Sequence, residues 1–277
     1  KLPLATFVFL CVLKAHESDV AIYEYGNLVL EIDEAVLERL TKNPDVFSLK
    51  FIGSSTGARK ILLTAIADRW GITGDSRKSF LAIAKVLFRE IRSIPPYAQR
   101  TSAVISDGAI KLRSIFQTAV EPDALLFDQI PRLFGYDPVG SSSSEAFGQD
   151  IAILLADRII EIRSAYANLK VRVTEKLSQA FKASKPVIDL RVELLNRIRD
   201  WNSEPTDPSV RALVEAINRD HLDDDRWLEN LAMVVSGGTP LRNWSDSDET
   251  EFSGKAELAA MKLQDFENLK FFEQTAT

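Results

Sequence analysis

Residues 145–183 constrain the fold more than any other stretch of this chain. Leu155, Ile159, Ile162, Tyr166, Leu169 and Val173 recur at alternating spacings of four and three, the repeat of a helix that packs along its length. Leu177 follows at a spacing of four, so the heptad slips there. No proline interrupts the run before Lys185-Pro186. Beyond it, Leu190, Leu194, Ile198 and Trp201 supply an answering apolar face. The pattern predicts a long antiparallel helical hairpin.

Strand signals are confined to residues 20–52. Val20–Glu24 and Leu28–Ile32 are β-prone runs flanking Tyr25-Gly26-Asn27, which reads as a tight hairpin. Asp33 is placed to cap a helix through Leu40, with Glu34 in its first turn and Arg39 and Lys42 near its end. Val46–Ile52 reads as a further short strand after Asn43-Pro44-Asp45. A small α+β unit resembling a winged helix is expected.

From residue 54 the chain turns helical. Segments near 56–70, 76–93, 103–119 and 122–134 are separated by Gly71, Gly74, Pro95-Pro96, Pro122 and Gly135. Later helices are expected from Pro205-Thr-Asp-Pro208 through Arg219, from Asp223-Asp224-Asp225 through Val235, and from Trp244-Ser245-Asp246 towards Phe272. Gly135-Tyr-Asp-Pro-Val-Gly-Ser-Ser-Ser-Ser144 is the best linker, so a boundary is expected between residues 1–140 and 141–277. The fold class read from sequence is therefore mainly α: a small N-terminal α+β unit, then a multi-helix array containing the hairpin.

The opening run, Leu2–Leu13, is too short to span a bilayer and has no Ala-x-Ala cleavage site after it. A buried core helix is expected there, with Cys11 in it. A start inside an apolar run, without Met, suggests a segment of a longer polypeptide. One cysteine in 277 residues supports neither a disulfide framework nor a thiolate metal site, and a cytoplasmic setting is expected.

Catalytic motifs fail in turn. Gly53-Ser-Ser-Thr-Gly-Ala-Arg-Lys60 joins a strand to a helix, where backbone N–H groups can bind anions. A Walker loop, however, needs Lys and then Ser or Thr directly after its second Gly, and Ala58 stands there. Gly-x-Ser-x-Gly does not occur. His221 and Asp223-Asp224-Asp225 form the densest group of metal-ligand types. Adjacent helical residues point about 100° apart, so the carboxylates converge poorly, and acidic residues at a helix start serve as caps. No cofactor and no metal is expected.

Charge is unevenly spread. A net charge of −6 conceals a basic stretch from Arg59 to Arg113 and an acidic excess after Trp201. Arg77, Lys78, Lys85, Arg89, Arg92 and Arg100 are the candidate nucleic-acid contacts, with Tyr97 available to stack on a base.

Several segments resemble a known group as a set: Ile22–Leu30, Phe51–Leu63, Leu125-Leu-Phe-Asp-Gln-Ile-Pro-Arg-Leu-Phe-Gly135, Asp223-Asp-Asp-Arg-Trp-Leu-Glu-Asn-Leu231 and Arg242-Asn-Trp-Ser-Asp246. In that order they resemble the C-terminal, mostly helical region of large bacterial ATP-binding proteins, some associated with phage defence. The resemblance implies that nucleotide binding lies upstream, and it carries no active-site residue onto this chain. The expected function is a non-catalytic helical interaction or regulatory module of a larger ATP-dependent protein. Its expected partners are other domains of the same polypeptide or other proteins, with no membrane. A nucleic-acid-binding module and a metal-dependent hydrolase at His221 and Asp223–Asp225 are the alternatives.

Overall fold

The computed structural model describes residues 8, 11–13, 15–16, 20–51, 57–74, 79–119, 121–139, 144–199 and 205–275, the last six as backbone only. The chain is mainly helical, with one small three-stranded antiparallel sheet. It divides into two compact units, residues 1–94 with 106–162 and residues 95–105 with 163–277. The expected 140/141 boundary falls inside the first unit, and residues 140–143 lie outside the described ones.

In the first unit the sheet runs in the order β2-β1-β3, from β1 (Val20–Glu24), β2 (Asn27–Leu28) and β3 (Phe47–Phe51). Tyr25 and Gly26 take positive φ at the β1–β2 turn. β2 is shorter than its β-prone sequence predicts. Val29 makes one last bond to the Ile22 carbonyl, 2.8 Å, and the chain then leaves the sheet to enter α1 (Glu34–Lys42). Asp33 caps that helix by accepting from the Val36 N–H at 2.8 Å. Val36 and Leu40 join Leu13, Ile22 and Val29 in one apolar cluster. Leu13 is thus buried as expected, but Cys11, Val8 and Val12 of the same run are exposed; residues 1–7 and 9–10 lie outside the described ones.

Helices α2 (Ala58–Arg69) and α3 (Phe80–Arg92) follow. The expected helix at 103–119 begins later, as α5 (Asp107–Thr118), because Ser106 caps it through its hydroxyl. Before it comes the short α4 (Pro96–Arg100), which belongs to the second unit. Phe80 stacks on Phe127 at 5.4 Å, and Phe88 meets Phe116 edge-on at 5.5 Å.

The helical stretch 122–133 has an unforeseen break. Between α6 (Pro122–Ala124) and α7 (Ile130–Leu133), residues Leu125–Gln129 form a π turn in which the Ile130 N–H reaches back to the Leu125 carbonyl. Pro131 explains it. Proline has no N–H to give the carbonyl four residues back, and its ring crowds that carbonyl. The carbonyl in question, Phe127, accepts instead from the Val139 N–H at 2.8 Å.

α8 (Glu145–Phe181) supplies residues to both units. Leu155, Ile159, Ile162, Leu169, Val173 and Leu177 are all buried, so the seam continues through the slip in the heptad. Near its start, a Cβ on Gly148 would lie 2.9 Å from the Ile61 side chain and 3.3 Å from the Leu62 backbone nitrogen. Only glycine permits that approach.

The second unit continues with α9 (Val187–Ile198), α10 (Pro208–Ile217), α11 (Asp224–Ser236) and α12 (Asp246–Thr275). Leu190, Leu194 and Ile198 are buried as the sequence predicts; Trp201 lies outside the described residues. Trp227 and Trp244 are fully buried, and each indole N–H is satisfied, by the carbonyls of Ile217 (3.1 Å) and Thr239 (3.0 Å).

Candidate functional site

Several ionisable groups of the second unit converge on the first turns of α12. Glu249, in its first turns, accepts from Arg172 Nε at 2.5 Å and Nη2 at 3.1 Å, and from the Tyr97 hydroxyl at 2.7 Å. Arg172 Nη2 also donates to the Tyr97 oxygen at 3.0 Å, closing a three-membered network. Lys176 Nζ donates to the Glu249 backbone carbonyl. Burial pushes the Glu249 carboxyl up, but the hydrogen bonds from Arg172 and Tyr97 outweigh it and hold the group below its ordinary range. The same burial, with Glu249 as acceptor, lifts the Tyr97 hydroxyl to about 12.

Three residues away, Asp246 clasps the loop after α4. Its carboxylate accepts from the Thr101 hydroxyl (2.5 Å), the Ser102 N–H (2.9 Å) and hydroxyl (3.2 Å), and the Ala103 N–H (3.2 Å). Two successive backbone N–H groups turned on one oxygen make an anion cradle, filled here by the chain's own side chain. Burial raises this carboxyl also, and the donors lower it further than burial lifts it.

A second network lies on α8 and α11. Tyr166 donates to Glu229 at 2.8 Å, while Lys170 pairs with Glu229 at 2.9 Å and Asp225 at 3.0 Å. Burial and Glu229 both push the Tyr166 hydroxyl up.

The acidic triplet is drawn into these and other local contacts. Asp223 caps α11 by accepting from the Arg226 N–H at 2.8 Å, Asp224 pairs with Arg191 at 2.8 Å, and Asp225 pairs with Lys170. The three carboxylates diverge onto three different partners, and His221 is exposed. Among the described residues, no group of three or more His, Cys, Asp or Glu side chains is arranged to hold a metal ion.

The basic candidates fare differently from one another. Lys85, Arg89 and Arg92 lie at i, i+4 and i+7 on α3, which places them along one helix face. Lys85 is half-buried, Arg89 is exposed and paired with Glu31, and Arg92 is exposed with its guanidinium 5.8 Å from the Phe88 ring centre. Arg100 belongs to the other unit, where it donates to the carbonyls of Asn243 (3.0 Å) and Pro96 (3.3 Å). Arg77 and Lys78 lie outside the described residues, as does the first half of the Gly53–Lys60 segment. Tyr97 is not available to stack on a base: it is fully buried and its hydroxyl is committed to Glu249.

A cleft of about 440 Å³ opens beside the ends of α8 and α9 and the middle of α12. Its polar lining is largely self-satisfied. Arg197 makes a two-pronged contact to Glu267, 2.8 Å at each oxygen, and Glu193 accepts from the Ser184 N–H at 3.1 Å.

One feature runs through these groups. Among the described residues, every carboxyl group with a resolved displacement is held below its ordinary range: Glu24, Glu38, Glu161, Glu193, Asp207, Asp246, Asp248 and Glu249. A general acid or base at neutral pH needs the opposite displacement. The sequence offers no sign of this network, because Tyr97, Arg172 and Glu249 are ordinary residues far apart in the chain. No known protein family, curated protein or solved structure matches this chain.

Proposed function

We propose that this chain is a non-catalytic helical interaction and regulatory module of a larger bacterial ATP-dependent protein. The observation that carries the reading is the state of its carboxylates. The partly buried ones, Glu249 and Asp246, are committed to Arg172, Tyr97 and the Thr101–Ala103 segment, contacts that hold structure.

Exposed apolar side chains on the second unit give the module something to dock with. Ile188 and Val192, four apart on α9, and Leu258 and Met261, three apart on α12, are each half or more exposed. The occupant in this reading is another domain of the same polypeptide, and the upstream ATP-binding part rests on the resemblance described above. A cytoplasmic location belongs to the same reading. Among the described residues, no helix is long and apolar enough to cross a membrane.

The finer architecture belongs here as well. A winged-helix-like reading of the first unit's sheet draws on α1 packing over Ile22 and Val29. The antiparallel hairpin of α8 and α9 has less support. Arg197, in the last turn of α9, donates to the Phe181 carbonyl at 3.0 Å, which brings that turn to the end of α8.

The deciding experiment is the native mass, read in the source cells with an antibody raised against this chain. A band well above 31.0 kDa is expected; a band at 31.0 kDa overturns the module reading. Purified chain is expected neither to bind nor to hydrolyse ATP. A second reading, nucleic-acid binding, draws on the shared face of Lys85, Arg89 and Arg92. It requires binding that weakens with salt and with Arg89, Arg92 and Arg100 changed to Ala. Undetectable binding at low salt ends it.

A further inference from the structure

The outer edge of β3 is exposed in a form that fits a copy of itself. Ser48 to Phe51 are all exposed, Leu49 at 45% and Phe51 at 74%, which is unusual for apolar residues on a sheet edge. β3 pairs with β1 on one side, in the register Val20↔Phe51, Ile22↔Leu49 and Glu24↔Phe47. In an antiparallel ladder, opposed residues alternate between pairs that exchange hydrogen bonds and pairs that do not. Two bonds fix the phase. The Tyr25 N–H donates to the Val46 carbonyl at 2.9 Å, and the Ile22 carbonyl faces β2, accepting from Val29 at 2.8 Å. Phe47, Leu49 and Phe51 therefore turn their backbone groups away from β1. Of these, the Phe47 N–H is taken by the Pro44 carbonyl. Among the described residues, Leu49 presents both groups unpaired, Phe47 its carbonyl and Phe51 its N–H.

The sequence of the strand is close to palindromic: Phe47-Ser48-Leu49-Lys50-Phe51. A two-fold axis through Leu49 sets Phe47 against Phe51 of the copy and Leu49 against Leu49. It is the only antiparallel register that overlaps all five residues. The outward backbone groups belong to these same residues, so each opposed pair is of the hydrogen-bonding kind. Leu49 exchanges two bonds with its counterpart, and each Phe51 N–H meets a Phe47 carbonyl. All three apolar side chains share one face, the face of Val20 and Ile22, and would form a continuous cross-strand ladder.

We infer that β3 is a homodimerisation edge, joining two copies of this chain antiparallel about Leu49 into one six-stranded sheet. The inference stands apart from the module reading, since it concerns the first unit's sheet and a second copy. An isologous contact of this kind closes on itself and does not propagate.

The test is sedimentation equilibrium of the full chain from about 1 µM to about 1 mM, where so small an interface dissociates. The mass is expected to climb from 31.0 kDa towards twice that value. Leu49→Lys and Leu49→Glu each set like charges against one another across the axis, and each is expected to weaken the dimer at least tenfold. An equimolar mixture of the two is expected to regain it. A Leu49→Cys variant in a Cys11→Ser background is expected to be cross-linked by a short bis-maleimide, because the opposed Cβ atoms of a hydrogen-bonded pair lie about 5.5 Å apart, too far for a direct disulfide. Far-UV circular dichroism checks that each variant is folded. A monomer throughout, dimerisation of the lysine variant equal to that of the parent, a mixture that stays monomeric, or a folded cysteine variant that does not cross-link would each overturn the inference.

Discussion

Replacing Glu249 by glutamine keeps the side chain's volume and removes its charge. The amide oxygen can still accept from Tyr97, but the amide nitrogen cannot accept from Arg172. The bond from Arg172 Nε is lost outright and the one from Nη2 now ends on a neutral oxygen, so a guanidinium with only 30% side-chain exposure keeps that oxygen and Tyr97 as its partners. Bonds to charged groups contribute about 1.5–3 kcal/mol each, and breaking a fully buried pair costs about 3–5 kcal/mol. Partial rehydration of Arg172 discounts both figures, leaving a cost of about 2–3 kcal/mol for the second unit. The assay is urea unfolding of the parent, Glu249→Gln, Arg172→Met and the double variant, followed by a probe of the second unit, since a two-unit chain need not unfold in one step. The double variant should lose at least about 1 kcal/mol less than the sum of the singles. Acid supplies a further check. Glu249 titrates below its ordinary value of 4.5 in the folded chain. Its contribution is therefore complete above that value and disappears as pH falls through the lower, folded one. The gap between parent and Glu249→Gln should close over the same interval. An unchanged urea midpoint, strict additivity, or a gap that persists in acid would refute the ionic account.

At the alkaline end the sign reverses. Tyr97 is raised from 10.0 to about 12, so its contribution is complete below pH 10 and is lost as pH rises towards 12; Tyr97→Phe should flatten that limb of a stability–pH curve. Gly148→Ala should destabilise the first unit by about 1–3 kcal/mol despite alanine's better helix propensity, because the new methyl meets Ile61 and the Leu62 backbone. A raised melting temperature would contradict this. Trp227→Phe should cost about 2 kcal/mol by leaving the Ile217 carbonyl without its buried donor, measured by chemical unfolding with Trp244→Phe as the matched comparison.

What could be read from the sequence was what local physics decides. Asp33 and Asp223 announced helix starts because capping needs only the following turn. The α8 seam announced a buried stripe because a helix brings residues three and four apart together. The π turn was missed although Pro131 stood in plain view. The sequence shows that a donor is lacking, but not that Val139 would serve the Phe127 carbonyl. The shortness of β2 was hidden for a related reason, since β propensity continues to Ile32 while the chain turns away to reach the Asp33 cap. The Glu249 network was out of reach. Arg172 lies 77 residues from Glu249 and Tyr97 lies 152 away, and neither spacing carries a periodicity. Buried ionic contacts between distant segments leave no local trace, whereas the free edge of β3 left one in its palindrome.

Residues 95–105 leave and re-enter the first unit's stretch of sequence, yet they are held by residues near the C-terminal end. That has a consequence for a chain made in order. Thr101 is 145 residues ahead of the Asp246 that clasps it. At a ribosomal pace of about 5–20 residues per second, the α4 segment waits about 7–30 s for its anchor. During that interval Tyr97 and Ala98, buried in the finished protein, have no completed surface to settle against. The nascent chain thus carries an apolar segment between two parts that can pack early, a natural point for a chaperone to hold.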